Sequence, residues 1–125
     1  MALPNEPADL LYSVLADDPD LAEIVALFVQ EMPERIARLL DRFRESDLEG
    51  LRRVAHQIKG AAGSYGFAPI SPAAARLEDG IVQSRSEEGI RQALDELIDL
   101  CRRARAGVPS TEIRNPKAEI PNESQ

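Results

Sequence analysis

Apolar residues recur at steps of three and four residues along most of the chain, and this spacing constrains the fold more than any other feature. Such spacing places side chains on one face of an α-helix, whereas a half-buried strand requires alternation at every second residue. No segment shows sustained alternation. Because aromatic residues make up only 4% of the chain, the core must consist of aliphatic side chains, which suit helices better than a sheet sandwich.

A long amphipathic helix is expected to begin at Asp18-Pro19. Asp18 can cap the free amides, and Pro19 suits the first turn because its missing N–H is not needed there. Inside the helix, Pro33 is expected to produce a kink. A short leading helix is expected over residues 5–15. The apolar stripe of the long helix consists of Leu21, Ile24, Val25, Phe28, Met32, Ile36, Leu39, Leu40 and Phe43.

Three further helices are expected over about 46–65, 71–82 and 86–106. Each begins at a serine that can cap free amides, and the first of these serines belongs to a capping-box pattern with Glu49. The capping serines are Ser46, Ser71 and Ser86. Amphipathic helices joined by short loops favour an antiparallel up-down four-helix bundle, here with a short extra N-terminal helix.

The chain is expected to divide into an N-terminal segment (1–18), the bundle (19–107) and a tail (108–125). The tail is polar and interrupted by proline, so it is expected to be disordered. The first residues lack the basic and apolar regions of a signal peptide, and the longest apolar run spans only a few residues. A cytoplasmic protein without a transmembrane helix is the simplest interpretation.

The charge balance and the single cysteine exclude several classes of function. Fifteen Lys and Arg against 22 Asp and Glu give a net charge of −7, which argues against nucleic acid or a membrane surface as partner. One cysteine (Cys101) and one histidine (His56) provide neither a disulfide framework nor a structural zinc site. Cys101 lies on the apolar stripe of the last helix and is interpreted as a core residue.

The sole histidine is expected to face solvent. At 100° per residue, His56 lies roughly 150° from the centre of the apolar stripe of its helix. Arg52, Lys59, Gly60 and Gly63 are expected along the same exposed strip. Two exposed glycines lower helix stability by about 1 kcal/mol each relative to Ala, so we interpret them as clearing space beside the ring. Close packing against another helix is the alternative.

Positive charge is concentrated around this histidine. Residues 50–77 contain no Asp or Glu but four cations, namely Arg52, Arg53, Lys59 and Arg76. A basic patch on an otherwise acidic chain suits an anion or an acidic pocket of a partner, although a plain solvated face remains the alternative.

The run from His56 to Gly66, HQIKGAAGSYG, resembles the signature of histidine phosphotransfer (HPt) domains. In that family the pattern is His, any residue, an aliphatic residue, Lys, Gly, two small residues and a further small residue. The similarity extends over roughly residues 21–106 and includes Leu77-Glu78 on the following helix. It implies a phosphoryl carrier built on a helical bundle.

The resemblance also implies roles for individual residues. His56 would accept and donate the phosphoryl group through Nε2, Lys59 would offset the phosphate charge, and Gly60 would leave room for it. Glu78 would accept a hydrogen bond from Nδ1 of the histidine. It lies at the edge of the apolar side of its helix and could lean towards a neighbour, although a plain exposed acid is the alternative. The expected partner-docking residues are Arg52, Arg53, Gln57 and Gly63.

The expected partners are a response-regulator receiver domain and a histidine kinase or hybrid kinase. The chain has no Gly-rich phosphate loop, Walker lysine motif or acidic cluster for Mg²⁺. We therefore expect a monomeric phosphoryl carrier without kinase activity or a cofactor of its own, with Mg²⁺ held by the receiver. Two alternatives are an adaptor of the same fold that sequesters a receiver without being phosphorylated, and a plain four-helix scaffold. His56 with Lys59 and Gly60 speaks against the adaptor, and the lack of an extended apolar outer face speaks against the scaffold.

Overall fold

The computed structural model describes residues 10–108, which contain five helical segments and one pair of short strands. The N-terminal residues 1–9 and the expected tail beyond 108 lie outside this part of the chain. No helix in residues 10–108 combines the length and apolarity needed to span a bilayer. The elements are β1 (Leu11–Tyr12), α1 (Ala22–Gln30), α2 (Met32–Arg44), α3 (Leu48–Ser64), α4 (Ile70–Val82), α5 (Glu87–Arg103) and β2 (Ala104–Arg105).

The four longer helices form a bundle, as predicted. Helix α3 packs against α2 and α4, and α5 packs against α4 and α2, so the helices enclose one core. Helices α3 and α4 are antiparallel, since His56 contacts Glu78 whereas Lys59, later on α3, contacts Ser71, earlier on α4. The largest fully buried side chains of this core are Phe28, Phe67, Leu39, Leu51, Ile58, Ile70, Leu77, Leu94 and Leu97.

The predicted long first helix is divided at Glu31, two residues before the proline. Pro33 occupies the first turn of α2, where a missing N–H is tolerated, and its ring disfavours continuous helix on its N-terminal side. Helix α1 begins later than predicted, because Asp18 bonds the amide of Asp20 in a turn instead of capping the helix. Ile24, predicted on the buried stripe, is 43% exposed.

The predicted leading helix is absent from residues 10–15. Leu11–Tyr12 instead pairs in parallel with Ala104–Arg105, so α5 ends three residues before the predicted end at about residue 106. Two hydrogen bonds hold the same segment to the α3–α4 loop: Ser13 Oγ donates to the carbonyl of Tyr65, and the Val14 amide donates to the carbonyl of Gly66. These tertiary contacts outweigh the weak local preference of a short amphipathic segment for helix.

Of the three capping serines predicted, only one caps a helix. Ser86 caps α5 as predicted, accepting a bond from the Gly89 amide at 3.1 Å. Helix α3 is capped by Asp47, since Ser46 has a left-handed backbone with a φ of 58°. Ser71 lies inside α4, where its hydroxyl donates to the carbonyl of Lys59 at 3.1 Å. This bond fixes α4 against α3 close to the predicted site.

We expect Gly66→Ala to lower the free energy of unfolding by about 2–3 kcal/mol in urea denaturation, because two effects add. Gly66 has a φ of +83°, and an added Cβ would lie 2.6 Å from Ser13 Oγ, whose side chain is buried. Gly107→Ala is the matched control, since its φ is +81° but no atom lies within 4 Å of the added Cβ. Equal losses of about 1 kcal/mol in both variants would show that the contact with Ser13 does not matter.

Candidate functional site

His56 projects from the solvent face of α3, as its helical spacing predicts. The opposite face of the helix carries four buried residues, Leu51, Ala55, Ile58 and Ala62. The His56 side chain is 61% exposed. The sole histidine is therefore accessible to another protein, and it is not a core residue.

Glu78 of α4 lies directly beside the histidine. The residue before it, Leu77, is fully buried, which places Glu78 at the edge of the α3–α4 contact with a side chain only 13% exposed. One carboxylate oxygen, Oε2, lies 3.0 Å from His56 Nδ1, and the other, Oε1, lies 2.9 Å from Lys59 Nζ. The predicted lean of Glu78 towards a neighbouring helix is thus present in the structure.

These contacts determine which nitrogen of His56 is available for reaction. The hydrogen bond from Lys59 lowers the pKa of the Glu78 carboxyl, and the bond with His56 acts in the same direction against the opposing effect of burial. A carboxylate only accepts hydrogen bonds, so Nδ1 must carry the proton that forms the 3.0 Å contact. In the neutral ring, Nε2 then keeps a free lone pair on the side away from Glu78.

Arg52 joins the same cluster from one turn earlier on α3. Its guanidinium forms two bonds with Glu49, at 2.6 and 3.1 Å, and Nη1 lies 3.5 Å from Glu78 Oε2. The hydrogen bond from Arg52 also lowers the pKa of Glu49. Arg53 lies outside this cluster, with a side chain 70% exposed and one 3.4 Å contact to Glu49.

The predicted basic patch is therefore weaker than the sequence indicates. Glu49 and Glu78 lie just outside residues 50–77, the run that contains no acid. Their carboxylates nevertheless form ion pairs with cations of this run. Arg76 points away from the site and pairs with Glu96 of α5 at 2.7 Å. Spacing along the chain cannot show these ion pairs, because three of them join different helices.

The two glycines on the exposed strip differ in their surroundings. A Cβ added to Gly60 would meet no atom within 4 Å, so no packing contact among the described residues requires glycine there. A Cβ added to Gly63 would meet Ser71 Oγ at 3.6 Å, an ordinary van der Waals contact with α4. Gln57 is exposed next to the histidine. Space for an approaching group is thus most evident at Gly60.

The sequence pattern does not distinguish two residues of the site. The sequence predicts Glu49 only as part of a capping box, although its spacing of three residues from Arg52 is a recognisable ion-pair signal. The sequence predicts Ser71 as a helix cap. Its bond to the Lys59 carbonyl joins two helices, so no local pattern reveals that bond.

Cys101 is buried, as predicted, and burial raises the pKa of its thiol to about 12. It therefore stays protonated at neutral pH and is a poor nucleophile. In the described part of the chain, no three His, Cys, Asp or Glu side chains are grouped as metal ligands would be.

Comparison with known proteins agrees with the geometry at His56. A family model for the Hpt domain matches residues 23–107, which is more than half of the chain. Comparisons with curated proteins and with solved structures gave no match. The family match spans all the helices except the first residue of α1, and it includes His56, Lys59 and Glu78. The chain therefore belongs to the Hpt domain family, a phosphotransfer module that works with the kinase and receiver components of two-component systems.

Proposed function

We propose that His56 is the phosphoacceptor of a relay between the aspartates of receiver domains, or from a histidine kinase to a receiver. The observation that carries this proposal is the 3.0 Å contact between His56 Nδ1 and Glu78 Oε2 on an otherwise exposed ring. It supports a ring with one fixed proton and one free lone pair, which is what a nucleophilic imidazole requires.

In the proposed step, the Nε2 lone pair attacks the phosphorus of an aspartyl phosphate on the receiver. The bond from phosphorus to the aspartyl oxygen breaks, and the aspartate leaves as a carboxylate. Nδ1 keeps its proton, so the ring becomes positively charged as the new P–N bond forms. Glu78 stabilises that charge across the Nδ1 hydrogen bond, and reversal of the same step delivers the phosphoryl group to the next aspartate.

Lys59 supplies the positive charge for the phosphoryl group. Lys59 follows His56 by about one turn of α3, and its Nζ bonds Glu78 in the unphosphorylated protein. The phosphoryl group brings nearly two negative charges, and the flexible lysine stem allows the ammonium to move towards them. Lys59 then exchanges one carboxylate oxygen for phosphoryl oxygens.

The partner is proposed to provide the remaining chemistry. A receiver offers an acidic pocket with its own Mg²⁺, and Arg52, Arg53, Gln57 and Gly63 are proposed to line the surface on which it docks. The chain itself is proposed to be a carrier that neither binds ATP nor phosphorylates itself. The monomeric state and the cytoplasmic location stay predictions.

The test is to incubate the protein with phosphorylated receiver domains and to follow transfer of the label. We expect phosphate on this protein that is labile in acid and stable in base, as befits a P–N bond. Tight binding of the receiver without any label would favour the sequestering adaptor instead. Absence of both binding and label across the receivers tested would favour the plain scaffold.

Lys59→Ala is expected to slow transfer roughly tenfold to a hundredfold, because one charge-assisted hydrogen bond to the phosphoryl group is lost. The rate is measured by single-turnover transfer from a phosphorylated receiver. The Lys59 side chain is 37% exposed, so the fold should survive.

Arg76→Ala is the matched control for Lys59→Ala. It also removes a cation paired with a glutamate of a neighbouring helix, at 2.7 Å, but on the side of α4 that faces α5. We expect this variant to transfer at the rate of the unmodified protein. An unchanged rate in Lys59→Ala would show that Lys59 takes no part in phosphoryl transfer.

A further inference from the structure

Arg52 is shared between two carboxylates in the unphosphorylated protein. It bonds Glu49 at 2.6 Å, whereas its Nη1 lies 3.5 Å from Glu78 Oε2, at the outer limit of a hydrogen bond. Its side chain is 30% exposed, so it lies between the surface and the α3–α4 contact. Arg52 therefore needs only a small movement to engage Glu78 fully.

Phosphorylation creates a need for such a movement. Glu78 is bonded by Lys59 at Oε1 and by His56 at Oε2, and only 13% of its side chain is exposed. When Lys59 turns to the phosphoryl group, Glu78 loses its closest cation. A poorly hydrated carboxylate that loses its cation is destabilised and orients the Nδ1 proton less firmly.

We propose that Arg52 is a positioning residue that replaces Lys59 as the counter-ion of Glu78 when His56 is phosphorylated. This inference rests on the proposed function of His56. It assigns Arg52 a role inside the site, whereas the sequence predicted only partner docking. Arg52 does not touch the phosphoryl group in this proposal, and its effect on the phosphorylation of His56 passes through Glu78, separately from its proposed part in docking.

Glu49 holds Arg52 ready for this exchange. It binds the guanidinium one turn from His56 and keeps it oriented while Lys59 occupies Glu78. Because Glu49 is on the surface, solvent can compensate it when Arg52 moves away. Glu78 is much less accessible to solvent, so the guanidinium of Arg52 stabilises it more than it stabilises Glu49 once Lys59 has moved away.

The test uses phosphoramidate, a small donor that requires no docking surface. The His56 Nε2 lone pair forms the bond to phosphorus, the P–N bond of the donor breaks, and ammonia leaves. We expect Arg52→Gln to lower the maximal rate of His56 phosphorylation about three- to tenfold, with little change in half-saturating donor concentration. Arg52→Lys keeps the charge and should lose less.

Arg38→Gln is the matched control. Arg38 is an exposed helical arginine that pairs with Glu34 at 3.3 Å on α2, outside the site. We expect its phosphorylation rate to equal that of the unmodified protein. Urea denaturation of all three variants shows whether a slow rate of phosphorylation results from unfolding. If Arg52→Gln does not fold, Arg52→Lys is used for the test instead.

Nuclear magnetic resonance of the arginine side chains provides a second measurement. Phosphorylation of the unmodified protein should slow the exchange of the Arg52 guanidinium protons, because their bond to Glu78 becomes short. This signal should disappear in Glu78→Gln.

Three results would overturn the proposal while leaving His56 as the phosphoacceptor. The first is an unchanged rate of phosphorylation by phosphoramidate in Arg52→Gln. The second is an equal loss of that rate in Arg52→Gln and Arg52→Lys. The third is that the exchange rate of the Arg52 guanidinium protons does not change on phosphorylation. A loss of rate seen with receivers but not with phosphoramidate would leave Arg52 with a role in docking alone. Failure of the unmodified protein to be phosphorylated by either donor would contradict the proposed function itself, which is a distinguishable outcome.

Discussion

His56→Gln should abolish phosphate incorporation while leaving the fold intact. It replaces the only histidine of the chain, so no other imidazole can take the phosphoryl group. The side chain is 61% exposed, and Gln is a good helix former. The free energy of unfolding should therefore change by no more than about 0.5 kcal/mol, as for other surface substitutions.

Three measurements separate the possible causes of this loss. Labelling by a phosphorylated receiver reports transfer, urea denaturation reports the fold, and binding of the unphosphorylated receiver reports docking. We expect docking to persist, because the surface around the ring remains. Label on the variant would contradict the assignment of His56, and an unfolded variant would contradict its placement on the outside of α3.

Long amphipathic helices could be predicted because each carries its own repeated signal. The stripe on α5, from Ile90 to Cys101, is buried as its spacing predicts, and Ser86 caps that helix. The N-terminal segment could not be predicted in the same way. Its structure depends on hydrogen bonds to residues 65 and 66, and nothing in the local sequence of residues 10–15 encodes those distant partners.

Helix starts show the same division between local and tertiary information. The capping-box pattern at Ser46 is as good a local signal as the aspartate that follows it. Asp47 caps α3 because Ser46 has a left-handed conformation in the turn between α2 and α3. Which of two adjacent capping residues is used depends on how the preceding helix ends, and this is a property of the pair of helices.

The candidate site divides in a similar way. Exposure of His56 follows from the rotation of one helix, so the sequence predicts it without knowledge of the other helices. At the level of the sequence, only the family resemblance implies the bond between His56 and Glu78, since this bond joins α3 to α4. The sharing of Arg52 between Glu49 and Glu78 is not evident from the sequence, because both carboxylates lie outside the basic run and one of the contacts joins two helices.

Gly60→Gln should block transfer while making the free protein more stable. Gly60 is one turn after His56, and an added Cβ meets no atom of a neighbouring residue within 4 Å, so the backbone accepts a side chain at this position. Replacement of an exposed helical glycine should stabilise the helix by about 0.5 kcal/mol. The side chain would then occupy the space beside the ring through which the phosphoryl group and its donor approach.

Gly60→Ala separates bulk from helix rigidity. Alanine stabilises the helix by about 1 kcal/mol, more than glutamine does, yet adds only one methyl group. If bulk blocks the approach, Gly60→Ala should keep most of the transfer rate and Gly60→Gln should lose nearly all of it. Equal losses would instead indicate that flexibility of α3 at this position is required, because stability rises in both variants. Full activity in Gly60→Gln would show that the donor approaches from another side, and the interpretation of this glycine as cleared space would be wrong.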